Sequence, residues 1–369
     1  MDPYLVLSGT EIILASLCLL ASLLPLVPVP HGSVRSFDFT RLPVISLSVA
    51  VLVMGLVGSI LSEHSPSTLL LISFCMAGLA MLIQVGHILP FTPLWRKQTA
   101  RFHGNPKQAD TLSLLVCNVK QGNRDFDRVA KLIADKTPDI AIFMETDEDW
   151  ASALMPHLSD FAHVIARPQS NTYGMLLASR RPLEEGQVRF LLNDQVPSIT
   201  CKIRTPSGRF IRLVALHPEP PIPIRDTMGR DAEILMVGKI AREETLPMIV
   251  TGDLNDVAWS CTTRRFLRLS RLLDPRQGRG LFNTFDARRW YLRWPLDHVF
   301  HSRDFELVDM ERQPFVGSDH FPMFYRFALV ESDRNSLPEE ADHDDLNEAN
   351  KLIKAEKGRN RTPVGADWE

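Results

Sequence analysis

Between positions 118 and 320 a set of polar residues recurs, most of them where a short apolar run ends: Asn118, Glu145, His217, Asp253 with Asn255, Asp297, and Asp319 with His320. Carboxylates and amide oxygens are the ligands a hard cation such as Mg²⁺ prefers. Softer metals call for thiolates or dense histidine. The five cysteines, Cys18, Cys75, Cys117, Cys201 and Cys261, are isolated and fit neither a metal cage nor a disulfide framework. Two histidines among carboxylates add a capacity for proton transfer. Taken singly, an Asp after a strand is more often a turn or cap residue. The ordered set is what points to chemistry.

The elements that must position these groups follow from the pattern. Leu112 to Cys117 and Ile140 to Met144 are short apolar runs, the signature of buried strands, and they deliver Asn118 and Glu145. Phe126, Val129, Ala130 and Ile133 fall at helical spacing and predict a helix over 125–135. Strands are expected at 174–179, 198–204 and 209–216, the last two flanking the Pro206-Ser207-Gly208 turn. A helix over 231–242 precedes a strand at 248–251 that feeds Gly252-Asp253. Further strands are expected at 298–301, 305–309 and 323–327. Hairpins mixed with helical connections favour a layered α/β domain with mixed sheets.

Seven segments then carry a resemblance: LLVCNVKQGN (114–123), PDIAIFME (138–145), YGMLLASRRP (173–182), LVALHPEPP (213–221), IVTGDLND (249–256), PLDHVFHS (295–302) and GSDHFPMF (317–324). In type and order they resemble the endonuclease/exonuclease/phosphatase superfamily, the DNase I-like metal-dependent phosphoesterases. The resemblance implies a four-layered α/β sandwich that hydrolyses phosphoesters with Mg²⁺ or Mn²⁺. It implies Glu145 as principal metal ligand, with Asn118 beside it and Asp319 completing the metal or phosphate environment. Asp253 would align or deprotonate the attacking water and Asn255 would hold a phosphate oxygen. Asp297 would fix His320, which contacts the scissile phosphate or acts as base. His217 matches a general acid for the leaving oxygen, and Tyr173 a phosphate-contacting tyrosine. One departure stands out: Lys120 occupies a position where some family nucleases carry a carboxylate, which weakens a two-metal assignment. The other class of function is a non-catalytic module that keeps the fold for binding.

The charge distribution sets the domains. The chain holds 41 Lys and Arg and 44 Asp and Glu in 369 residues, yet only six of these charges fall in the first 95 positions. Uncharged runs there predict three transmembrane helices at about 12–30, 42–62 and 66–90, each near the length that crosses a bilayer. Three such helices before this domain resemble a membrane-anchored bacterial branch of the family. Residues 1–95 are thus read as a membrane region in contact with the lipid bilayer, 96–110 as a linker, 111–330 as the catalytic domain and 331–369 as a disordered charged tail with at most transient helix. Arg35 and Arg41 in the first loop, and Arg96 and Lys97 after the third helix, place the catalytic domain on the cytoplasmic side of the bacterial inner membrane. Nine arginines interleave with aromatics between Ser260 and Phe300. Arg264 and Arg265 are therefore candidate substrate contacts, with nucleic acid and lipid head group both open as the phosphoester.

Overall fold

The computed structural model describes residues 3–61, 67–330 and 333–367. Three long apolar helices come first: α1 (Pro3–Leu23), then, after the short α2 (Gly32–Arg35), α3 (Arg41–Leu61) and α4 (Thr68–Ile88). Each is long and apolar enough to cross a membrane. Ala15, Cys18, Ser48, Val51, Gly55, Ala77 and Ala80 are buried between them, so small side chains let the helices approach closely. Ile13, Leu17, Val53, Leu56 and Leu82 face outward. α1 begins nine residues before the expected start at 12, because an acid at Glu11 does not break a helix, and it ends at Leu23, before Pro25. Ser62 and Pro66, expected at span ends, lie outside the described residues.

The remainder is built on two sheets. β1 (Thr111–Asn118), β2 (Ile140–Met144), β3 (His163–Arg167), β4 (Met175–Ser179), β10 (Phe305–Arg312) and β11 (Met323–Leu329) form one, in the order β10-β11-β1-β2-β4-β3. β5 (Leu183–Phe190), β6 (Pro197–Arg204), β7 (Phe210–Leu216), β8 (Met248–Asp253) and β9 (Asp297–His301) form the other, in sequence order. Alternate residues from both sheets, among them Leu114, Ile142, Ile203, Leu213 and Phe327, interdigitate as the central core. α5 (Phe126–Lys136) and α6 (Glu148–Leu154) cover the outer face of the first sheet through Val129, Ile133 and Trp150. α7 (Met228–Glu243) and α8 (Cys261–Ser270) cover the second through Ile234, Val237 and Phe266. The result is the expected four-layered mixed α/β sandwich.

Two stretches depart from expectation. The linker at 96–110 is docked: Phe102 and Leu307 exchange backbone bonds along β10, with Phe102 N–H donating to the Leu307 carbonyl and Leu307 N–H to that of Ala100, both at 2.9 Å. The charged tail is not disordered either. It forms α9 (His343–Lys357), which buries Ala349, Leu352 and Ile353 against Ala232, Leu235 and Leu269. Few apolar residues suffice because they fall on one helical face, and Asp345 on that helix accepts from Arg265 and Arg268. Leu352→Ala removes a buried side chain from this seam and is expected to cost about 2–3 kcal/mol, read as a lowered melting temperature of the full chain in detergent. An unchanged melting temperature would mean that α9 is not docked.

Candidate active site

The polar residues converge because the two sheets each contain one parallel pair. β1 and β2 run parallel, with Asn118 beside Met144, so Asn118 and Glu145 leave the sheet at the same edge. β7 and β8 also run parallel, with Leu216 beside Gly252, so His217 and Asp253 leave together. β9 returns antiparallel and sets Asp297 opposite Asp253. Gly252 is required here: at φ 141° a Cβ would stand 1.9 Å from the Leu216 carbonyl oxygen. Lys120 (φ 57°), Glu145 (φ 60°) and Asn255 (φ 51°) all adopt the left-handed backbone region that non-glycine residues avoid. Such strain tends to be held where side chains must be aimed into a site.

Asp253 is the hub. Its Oδ2 accepts from Asn118 Nδ2 at 3.0 Å and lies 3.4 Å from His320 Nε2 and 3.9 Å from His217 Nε2. Its Oδ1 accepts from the Asn255 backbone N–H at 2.9 Å. Asn255 donates its own Nδ2 to the Pro218 carbonyl at 3.0 Å. On the far side, His320 Nδ1 meets Asp297 Oδ2 at 2.7 Å. Asn118 Nδ2 also donates to Glu145 Oε1 at 2.8 Å, and the Gln121 backbone N–H donates to Glu145 Oε2 at 3.2 Å. Asp319 Oδ2 pairs with Lys120 Nζ at 2.6 Å and with Arg288 at 3.1 Å.

The electrostatics divide these groups. Burial alone favours a neutral imidazole at His320, but the carboxylates of Asp297 and Asp253 outweigh it and push its pKa up to about 10. His320 is therefore a cation at neutral pH. His217 goes the other way, since burial outweighs Asp253 and lowers its pKa. Burial raises Asp253 and Glu145 above the usual carboxylate range. Asp319, although also desolvated, is held below that range by His320, Lys120 and Arg288.

Glu145 decides whether a metal fits. Among the described residues it makes no ion pair, its two oxygens being held only by an amide and a backbone N–H. It is half-buried and opens to the cleft. A half-buried carboxylate held only by neutral donors fits a hard divalent ion. Asp253, Asp297 and His320 also bring ligand atoms within 4.8 Å of one another. Asp297 Oδ2 is committed to the imidazole, while its Oδ1 is buried with no hydrogen-bond partner among the described residues, so the group combines a hydrogen-bonded His–Asp pair with a second carboxylate.

Three expectations need correction. Asn118 offers its NH₂ to Glu145 and Asp253 and not an oxygen, because its Oδ1 accepts from the Lys120 backbone N–H at 2.9 Å. It thus orients the Glu145 carboxylate, and its own oxygen is turned to the Lys120 backbone. Tyr173 packs its ring 5.6 Å from that of His217, but its hydroxyl donates to the Val364 carbonyl of the tail, which removes it from phosphate contact. Arg265 is bound to Asp345 at 3.0 Å, and Arg264 lines a separate pocket of about 340 Å³ with His87, Phe91 and Trp95. Among the described residues no hydrogen bond or ion pair joins either arginine to the site. Residues that spacing did not single out include Ser318, whose Oγ donates to the Asn118 carbonyl at 2.7 Å and accepts the His320 N–H at 3.0 Å. Arg230 holds the Asn255 carbonyl at 2.9 Å. Thr284 Oγ1 accepts the Asp297 N–H at 3.2 Å. Ser318 was legible only as part of its motif, and the other two come from loops and helices with no pattern of their own.

Fold and site together define a layered α/β sandwich with an acid- and histidine-lined cleft across the upper edge of both sheets. The chain belongs to the endonuclease/exonuclease/phosphatase family, whose model matches residues 115–320. Members of this family hydrolyse phosphoester bonds. No curated protein matches the chain. Among solved structures it is similar to an endonuclease/exonuclease/phosphatase from Beutenbergia cavernae, at 16% identity over 60% of this chain and 72% of that one, TM-score 0.48. It is similar also to the human Nocturnin catalytic domain with bound sulfate anion, at 16% identity over 60% and 96%, TM-score 0.49. A family protein from Bacteroides thetaiotaomicron matches at 19% identity over 62% and 98%, TM-score 0.46.

The His320–Asp297 contact makes a pH prediction. A group whose pKa rises on folding adds stability that is complete below its ordinary value, here 6.5, and is lost as pH climbs through the folded value of about 10. Asp297→Asn is expected to lower the His320 titration midpoint, followed by NMR of the ring protons, and to remove that alkaline loss of stability. A midpoint left unchanged would show that Asp297 does not hold the charge.

Proposed function

We propose that the chain is a membrane-anchored, divalent-metal-dependent phosphoesterase that hydrolyses its substrate by in-line attack of water. The observation that carries this reading is the convergence, from five separated segments, of Glu145 and Asn118 with the Asp253 hub and the His320–Asp297 pair. Glu145 would hold Mg²⁺ or Mn²⁺, with Asp319 on the neighbouring wall. A bound divalent cation supplies charge neutralisation at the phosphoryl oxygens and orients them.

The chain's own groups do the rest. Asp253, its pKa raised by burial, is suited to take a proton from water and is held in place by Asn118 and Asn255. His320, already protonated, serves better as a fixed positive charge against a phosphoryl oxygen than as a base. His217 is neutral at the resting pH and reaches the same space from the β7 end. It fits a hydrogen-bonding role at the leaving oxygen, becoming an acid only when an anion in the cleft raises its pKa. Lys120 replaces what would be a further carboxylate and ties down Asp319, which supports one metal over two. A non-catalytic binding module would have no reason to keep Glu145, Asp253, Asn255, Asp297, Asp319 and His320 together. The three apolar helices are assigned to the bacterial inner membrane and the sandwich to its cytoplasmic side, since Arg35, Arg41, Arg96 and Lys97 all lie at the helix ends that face the sandwich.

With bis-p-nitrophenyl phosphate as substrate, Glu145→Ala is expected to lower metal-dependent turnover by at least about a hundredfold, the scale of losing one major electrostatic contact. Added EDTA should do the same to the unaltered chain. Near-normal turnover in the variant would refute the metal assignment.

A further inference from the structure

The sandwich sits on the apolar helices with no spacer, and the side it turns to them is the rim of the cleft. α3 begins at Arg41, and the twenty residues 42–61 are uncharged, a length that fills the hydrocarbon core at 1.5 Å per residue. The bilayer boundary therefore lies close to Arg41. At that level Trp294 Nε1 donates to the Phe39 carbonyl at 2.5 Å and Trp259 Nε1 to that of Asp38 at 2.8 Å. Leu42 and Ile45 of α3, with Ile88 and Phe91 at the end of α4, pack on Val257, Trp259, Phe285, Trp294 and Leu296. Only two ring contacts separate this seam from the site: Trp294 to Phe285, 6.2 Å between centroids, and Phe285 to His320, 4.9 Å. Laid end to end these two contacts span about 11 Å, somewhat more than one head-group layer of about 5–8 Å, so the site stands just above the bilayer surface.

Two loops flank the cleft at this level. The loop after Asp286 carries Trp290 and Tyr291, 83% and 64% exposed, among Arg288, Arg289 and Arg293. It ends at Trp294 on the seam and touches the site where Arg288 meets Asp319. The loop after His217 carries Ile224, 84% exposed, between two residues that clamp α2. The Gly32 N–H donates to the Arg225 carbonyl at 2.8 Å, and a Cβ on Gly32 would stand 1.8 Å from the Ile222 carbonyl. Singly exposed apolar residues are ordinary, but adjacent bare aromatics beside a cleft mark an interaction site. Trp and Tyr beside arginines suit a membrane interface, with rings at the head-group level and guanidinium groups on lipid phosphates.

We propose, on the reading of this site as a phosphoesterase, that its substrate is an amphiphilic lipid whose phosphoester lies at the bilayer surface. The 286–294 loop and Ile224 form an interfacial rim that seats the cleft over the head groups. Water gives a proton to Asp253 as its oxygen bonds to phosphorus, the bond from phosphorus to the leaving oxygen breaks, and that oxygen takes up one proton, so protons balance over the step. The membrane region is thus part of substrate recognition and not only a tether.

The test uses the full chain reconstituted in phosphatidylcholine vesicles containing phosphatidylglycerol or phosphatidic acid, with bis-p-nitrophenyl phosphate and linear DNA as soluble substrates and His320→Ala as control. Lipid hydrolysis is expected, and the double variant W290S/Y291S should lower it by about tenfold or more, equivalent to ~1.4 kcal/mol of interfacial contact, while the bis-p-nitrophenyl phosphate rate stays as it was. Brominated phosphatidylcholine should quench the fluorescence that Trp290→Phe removes, a readout independent of turnover. The inference is overturned if soluble esters or DNA are cleaved and the lipids are not, if the double variant lowers both rates equally, or if Trp290 is not quenched. No His320-dependent hydrolysis of any substrate would instead refute the phosphoesterase reading and this inference with it.

Discussion

A carboxylate buried among other carboxylates is unfavourable unless donors surround it, and Asp253 is the residue on which this constraint falls. Asn118, His320 and His217 face one of its oxygens from three different strands or loops, and a backbone N–H occupies the other. Each of these donors has its own support. Ser318 fixes the backbone of both Asn118 and His320, Asp297 charges His320, and Arg230 holds the Asn255 carbonyl. The two sheets are joined at their upper edge by this network and beneath it by the apolar core.

The same network extends toward the helices. Arg230 also pairs with Asp231 at 2.8 Å, and Arg35 of α2 lies 3.8 Å from Asp231. The backbone of the 253–256 turn is therefore connected through buried charges to the connector between the first two apolar helices. Trp259 and Trp294 make a second connection through aromatic packing. The three apolar helices and the cleft form one packed unit, so the orientation of the cleft follows from the position of the helices.

Much of this was legible in the sequence because it obeys local rules. Buried strands such as 140–144 are short apolar runs ending in a polar residue, and the β1, β2 and β8 ends were readable for that reason. The helix over 126–136 was equally plain from its spacing. What could not be read depends on tertiary pairing. β5 is mostly exposed and has a bulge, so it lacks clean alternation. The tail reads as disordered until α7 supplies the face for Leu352 and Ile353. Tyr173 and Arg265 have the right type for substrate contacts, but their partners, Val364 and Asp345, lie far away in sequence, and Arg264 lines a pocket with the α4 end instead. Asn118 meets Glu145 and Asp253, as the strand ends suggested, while the direction of its amide depends on Lys120 N–H, a detail of one left-handed turn.

On the proposed reading, Glu145 holds a single divalent cation. Mn²⁺ binding to the full chain, followed by electron paramagnetic resonance of the free ion, tests that directly and needs no substrate. One Mn²⁺ per chain, displaced by Mg²⁺ and lost in Glu145→Gln, is the result the structure predicts. Binding that survives this substitution, or none in the unaltered chain, would contradict it.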